Sequence, residues 1–197
     1  FRKACDAIKI HVGKPALTIA FPGNGSNPEV RAAALKHHLA YRGFQQSTGG
    51  KSTTQSLNAW ADKLILENKW GVLMVHGIAK GYAPLSDPGI LRAHLTYVKS
   101  REGDIWVDTF ANVARYEKER ENAKLRLTGQ PGNLTCSLNS VLDPQIFNVP
   151  LTIVLDAPKA TTARAVRAGK ELPVRVMKGS IYIEAPPAVE PITITSN

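Results

Sequence analysis

The sequence predicts an α/β fold: the carboxyl-terminal part of a (β/α) barrel followed by a small all-β, sandwich-like domain. Three observations lead there. Over residues 1–127 stretches of helical periodicity alternate with short apolar runs. One of those runs, Trp70–Val75, shows no polar alternation, the pattern of a parallel strand covered on both faces. From Thr128 the helical period stops, and Pro and Gly punctuate short β-rich segments. The expected domains are therefore 1–127 and 128–197.

Residues 1–12 carry a helix closed by Gly13. The run Ala16–Phe21 reads as a strand that ends in the loop signal Pro22-Gly23-Asn24-Gly25. Ser26 or Asn27 can cap the next helix, with Pro28 in its first turn. Leu39–Phe44 fits a short strand, Gln45–Thr54 a polar loop, and Leu57, Trp60, Ala61, Leu64 and Ile65 a helix face. After the strand Trp70–Val75 come His76-Gly77 and a loop. Ser86 or Asp87 starts a helix with Ile90, Leu91, Leu95 and Val98 as its buried stripe. Ile105–Val107 is the fourth expected strand, and Asp108 or Thr109 caps a helix running to about Lys124. Beyond Thr128, Leu151–Leu155, Ala163–Arg167, Val174–Met177, Ser180–Ile183 and Ile192–Thr195 read as strands, with Lys178-Gly179 joining a hairpin.

A closed barrel takes about 200 residues or more, so four strands in the first segment amount to about half of one. The expectation is that the missing amino-terminal half comes from sequence upstream of Phe1 or from a companion chain. A start at Phe1-Arg2-Lys3, with neither Met nor an apolar leader, reads as a processed end or a fragment edge.

Composition narrows the classes. The 197 residues are 43% hydrophobic, too many for a disordered chain, and hold no apolar run of the roughly 20 residues a membrane span needs. The net charge is +9, with 19 basic and 11 acidic residues in 1–127 and six and five in 128–197. Such a surplus raises the question of nucleic acid. The densest basic stretch, Arg115 to Arg126, nevertheless alternates with Glu117, Glu119 and Glu121 and reads as a solvated, ion-paired helix face. No nucleic-acid partner and no membrane are expected. Cys5 and Cys136 read as buried free thiols, since no zinc-ligand spacing of Cys and His exists.

Reacting groups in parallel α/β folds gather at the carboxyl ends of strands. Two loops qualify, Phe21-Pro22-Gly23-Asn24 and His76-Gly77-Ile78. His76 is a titratable group at a strand end, although a lone His is as often structural. His37 and His38 adjoin each other late in a helix, where a favourable interaction with the helix end is the simpler role. His94 reads as a packing residue. No nucleophile elbow, phosphate-binding loop or dinucleotide fingerprint is present.

On Ile19–Asn24, Gly71–Ile78, Leu91–Val98, Ile105–Phe110 and Val113–Tyr116, residues 1–125 resemble the carboxyl-terminal half of the polysaccharide deacetylase (NodB-homology) family. The resemblance implies a secreted or periplasmic, metal-dependent hydrolase that removes acetyl groups from a carbohydrate substrate. It implies a divalent metal, zinc in many relatives, whose Asp and His ligands precede this sequence. It further implies that His76 protonates the leaving group and that the Gly23 amide, within Phe21–Asn24, helps hold an oxyanion. The departures are Leu17 where the family has Arg, Gly23 where an aromatic often follows the Pro, and no Asp-and-Trp motif between Gly43 and Trp60. A non-catalytic carbohydrate-binding or scaffolding fragment is the alternative.

Overall fold

The computed structural model describes all 197 residues, and the chain divides into two units, Phe1–Phe110 and Ala111–Asn197.

In the first unit, local signals produce the helices. Helix α1 (Arg2–Val12) stops at Gly13, whose φ of 75° only glycine adopts without strain. Strand β1 (Thr18–Ile19) leads through a one-turn 3-10 helix (Pro22–Asn24) to α2 (Pro28–Leu35), capped where the Asn27 side chain accepts the Val30 N–H at 2.8 Å. Strand β2 (Ala40–Tyr41) then returns parallel to β1. The next three elements repeat the device: β3 (Gln46–Thr48), α3 (Thr54–Glu67) and β4 (Leu73–Val75), with β3 and β4 parallel. Helix α4 (Pro88–Ser100), capped by Asp87, packs against α3.

The barrel half expected over residues 1–127 does not form. Barrel closure requires every strand to bond two neighbours. Here β1 pairs with β2 and β3 with β4, in two separate two-stranded sheets. Ile105–Val107 is not a strand, Leu39–Phe44 shortens to two residues, and only Leu73–Val75 of the apolar run is extended in a ladder. That ladder is half-buried, not covered on both faces. The apolarity of the run has another cause. The Trp70 ring packs 4.6 Å from Phe110 and 5.8 Å from Phe44, so an aromatic row consumes its first residue. Strand β3 lies inside the segment expected to be a polar loop. Pairing with β4 makes it a strand, supported by the Thr48 hydroxyl donating to the Met74 carbonyl at 3.2 Å.

The second unit is antiparallel throughout. After α5 (Phe110–Asn122) come β5 (Lys124–Gln130), β6 (Asn133–Asn139), β7 (Leu151–Asp156), β8 (Ala163–Arg167), β9 (Lys170–Glu171), β10 (Val174–Met177), β11 (Ser180–Ala185) and β12 (Ile192–Ser196). They form a five-stranded sheet, β5-β6-β12-β8-β9, and a three-stranded sheet, β10-β11-β7. Strict alternation directs Leu151, Ile153 and Leu155 of β7, and Ile181, Ile183 and Ala185 of β11, into one core. Cys136, Leu138, Ala165, Ile192 and Ile194 of the other sheet join them there. Each fully buried Ile or Leu contributes about 1.5–3 kcal/mol by leaving water. The β10–β11 hairpin turns through Lys178 and Gly179 at φ 51° and 76°, the two left-handed residues that a two-residue hairpin of this twist demands.

Helix α5 explains why the division falls at Phe110 and not at the 127/128 boundary expected from composition. Its Tyr116 packs on the two-sheet core. Its Arg115 Nη1 donates to the Ile146 carbonyl at 3.0 Å, and its Glu119 Oε2 accepts the Val149 N–H at 3.0 Å. Glu119 is fully buried, not part of a solvated charged face.

Candidate functional site

Strands β1 and β2 leave their carboxyl ends at a cleft of about 350 Å³. Two loops and one helix build it. The chain leaving β1 buries Phe21 against Tyr41, ring centroids 5.5 Å apart, and then turns through Gly23 and Asn24 at φ 59° and 58°. Asn is the residue after Gly that best tolerates this left-handed geometry. The turn aims Asn24 into the cleft, where its Oδ1 accepts from Arg42 Nη2 at 3.0 Å. Helix α2 contributes Arg31. Its Nε donates to the Ser26 hydroxyl at 2.9 Å, and its guanidinium lies 5.8 Å from the Tyr41 ring centroid. The chain leaving β2 supplies Arg42, Phe44 and Gln45.

Three properties set the chemistry of the cleft. Its lining contains two arginines and no acidic residue, and neither guanidinium pairs with a carboxylate. Arg42 Nε is buried without an acceptor, and Gln45 Oε1 is buried without a donor. Phe44, held edge-on by Trp70, is 51% exposed and offers an apolar face at the rim. The arrangement suits binding a polar ligand that carries acceptors for the arginines. It contains no general acid or base with a carboxylate or imidazole.

Of the residues expected from sequence, only Asn24 lines the cleft. Phe21 is buried and supports the Tyr41 wall, while Pro22 and Gly23 lie exposed on the turn. His76 follows β4 but does not line the cleft. It is exposed and meets Tyr82 edge-on at 5.3 Å. Its loop is folded back, with the Leu85 N–H donating to the Gly77 carbonyl and the Ala79 N–H to the Leu85 carbonyl, both at 2.9 Å. A Cβ on Gly77 would come within 2.3 Å of the Lys80 carbonyl oxygen.

Five other titratable groups lie buried or half-buried. His94 is buried, its Nδ1 lies 2.9 Å from the Asn58 Oδ1, and burial holds its imidazole below the usual range. It occupies the buried face of α4, where Leu95 was expected and is instead half-exposed. His38 is buried beyond α2 instead of free at the helix end. Its Nδ1–H donates to the Ala16 carbonyl at 2.8 Å, which leaves Nε2 facing Cys5 Sγ at 3.6 Å. Cys5 is therefore half-buried, whereas Cys136 sits in the core and burial pushes its thiol up. Burial likewise raises Glu119, against the opposing pull of the Val149 N–H and Arg115. No three His, Cys, Asp or Glu side chains gather as metal ligands, so the residues of this chain do not form the donor set that a zinc ion would need.

Arg31, Tyr41, Arg42, Phe44 and Gln45 are the site residues that sequence reasoning misses. The signal was there in Tyr41-Arg42-Gly43-Phe44, two aromatics and a cation at the carboxyl end of a parallel strand. The strand-end rule that singled out Phe21–Asn24 and His76 applies to β2 equally.

Comparisons with known proteins place little around this geometry. No family model matches the chain, and no solved structure matches it. A gellan lyase from Bacillus sp. is 25% identical over 131 residues, which covers 60% of this chain and 5% of that protein. The chain thus spans a small fraction of the length of the relative it matches, and none of these comparisons points to the polysaccharide deacetylases.

Proposed function

We propose that this chain is a carbohydrate-binding part of a polysaccharide-acting enzyme and that the cleft between the β1 and β2 loops holds the sugar chain. The observation that carries the reading is the pairing of an exposed aromatic face, Phe44, with convergent polar groups on Asn24, Arg31, Arg42 and Gln45. Sugars present an apolar ring face and a belt of hydroxyls, which such a lining complements. The similarity to a gellan lyase supports the same substrate class. Affinity electrophoresis of the full chain through gels containing neutral and acidic polysaccharides tests it. Retardation that weakens in Phe44→Ala is the expected result, and unchanged migration in every gel overturns the proposal.

A second reading, removal of acetyl groups with His76 donating a proton to the leaving group, rests on the motif resemblance. One observation favours it: His76 is solvent-exposed directly beyond the carboxyl end of β4. The metal donors it requires belong to sequence outside this chain. Acetate release from an acetylated oligosaccharide, measured with the upstream sequence supplied and abolished in His76→Ala, is the expected result. Release that is equal in the two proteins removes His76 from the chemistry.

A further inference from the structure

We infer that Cys5 is a reactive thiol with His38 as its base, a modification site at which a low-molecular-weight disulfide forms a mixed disulfide with the chain. The inference stands apart from the carbohydrate reading and uses none of the cleft residues. Three segments of the first unit build the pair. Cys5 lies in the first turn of α1, His38 follows α2, and Ala16 precedes β1. The His38 N–H donates to the Ala34 carbonyl at 3.0 Å, and the next N–H, of Leu39, donates to the Leu17 carbonyl at 2.8 Å, so the backbone carrying the imidazole is fixed on both sides.

The tautomer follows from the partners. A backbone carbonyl only accepts, so the 2.8 Å contact from His38 Nδ1 to the Ala16 oxygen places a proton on Nδ1. In the neutral ring Nε2 then carries the lone pair, and it faces the Cys5 sulfur at 3.6 Å. A nucleophile in reach of a base, with the base oriented by a third group, is the arrangement that activates a thiol. Cys5 is half-buried, whereas Cys136 is fully buried and presents no sulfur to a reagent. The first turn of a helix and a cation one turn away, Lys9, both favour negative charge on sulfur. The other ionisable side chains around the pair, Arg2 and Asp6 on α1, Lys14 before β1, and Lys36 and His37 after α2, are exposed.

The step balances without a metal. The Cys5 proton moves to His38 Nε2, and the thiolate attacks the near sulfur of the disulfide. One S–S bond forms as the other breaks, and the leaving thiolate departs with the electron pair and takes up a proton. Cys5 is oxidised to a mixed disulfide and one reagent sulfur is reduced to a thiol.

The experiment follows pyridine-2-thione release from 2,2′-dithiodipyridine, a neutral disulfide, by the full chain at a series of pH values. The native chain should release one equivalent, absent in Cys5→Ser, and Cys136 should react only in denaturant. The readout is the ratio of the rate near pH 9 to that near pH 6, which cancels differences in access. For N-acetylcysteine and for the denatured chain the ratio should be about 100-fold or more, because an isolated thiol is almost wholly protonated near pH 6. For the native parent it should be at least about tenfold smaller. His38→Gln should restore the ratio of an isolated thiol, and His37→Gln should behave as the parent does. A parent ratio equal to that of N-acetylcysteine overturns the inference, and so does a native chain whose Cys5 does not react. A flattened profile that persists in a folded His38→Gln removes the imidazole as the base and overturns it too. If His38→Gln unfolds, as reaction of Cys136 without denaturant would reveal, the parent profile alone decides.

Discussion

In the second unit every other residue of β7 and β11 is buried, and eleven buried side chains from two sheets share one core. In the first unit the strands are two or three residues long, and all three residues of β4 are half-buried. Its buried apolar residues, Phe21, Ala34, Leu57, Ala61 and Leu85, come from four separate places in the chain. The contrast teaches how each unit uses its sequence. Long antiparallel strands place six or seven residues in one ladder and spend their side chains on stability. Short parallel strands leave their ends as loops, and the loop after β2 carries Arg42 and the exposed Phe44.

The strongest test of that contrast is Ile183→Ala. Ile183 is fully buried in the shared core, and its truncation should cost the second unit about 2–5 kcal/mol through lost burial and a residual cavity. Denaturant unfolding followed by circular dichroism should show one transition moving to lower denaturant. The saccharide binding proposed for the first unit should persist in the variant under native conditions. Loss of both together would break the division of labour.

Proton linkage should split the units next. His94 in the first unit has its imidazole pushed down by burial, so the unfolded chain binds protons more readily. Stability from this group is present above the ordinary value of 6.5 and is lost as pH falls through it toward the lowered folded value. Glu119 in the second unit has its carboxyl raised by burial, so the folded state holds the proton longer. Its contribution is greatest below the ordinary value of 4.5 and declines as pH rises through the raised folded value. Unfolding measured at a series of pH values should therefore show the first unit weakening on acidification while Glu119 works in the opposite direction in the second. Glu119→Gln should flatten its unit's share of the dependence, and an unchanged profile in that variant would show that the carboxyl is not the titrating group.

Smaller effects sharpen the comparison. Thr53 and Ser56 form a reciprocal capping box at the start of α3, and Thr53→Ala should cost the first unit about 1 kcal/mol in thermal or chemical melting. Removing the exposed Arg175–Glu184 ion pair between β10 and β11 by Arg175→Ala should change stability by no more than about 0.5 kcal/mol, a shift close to the resolution of a melting curve. A larger loss there would mean that the second unit depends on its surface charges as well as its core.

Much of the secondary structure was legible because its causes are local. Asn27-Pro28 and Asp87-Pro88 start helices, Gly13 ends one, and Lys178-Gly179 turns a hairpin, each by geometry confined to a few neighbouring residues. The alternation along Leu151–Asp156 likewise reports its own burial. The barrel reading failed where it required information from further along the chain. The apolarity of Trp70–Val75 is compatible with a doubly covered strand, yet Trp70 is apolar because of Phe44 and Phe110, and nothing near it in sequence says so. Glu119 shows the same limit. Its neighbours Glu117 and Glu121 are exposed, and its burial comes from the backbone of Val149, thirty positions away.

By itself, then, the amino-acid order determined where helices begin and end, which strands alternate, where one hairpin turns and that the first segment is basic, because each follows from short-range stereochemistry or from composition. Only the tertiary structure decided that β1 pairs with β2 and β3 with β4 without joining into one sheet, that Glu119 lies in the interior, and that Arg31 and Arg42 converge on Asn24, Phe44 and Gln45. Those outcomes depend on which distant groups satisfy each other's hydrogen bonds and shed water together, a choice made by the folded chain as a whole.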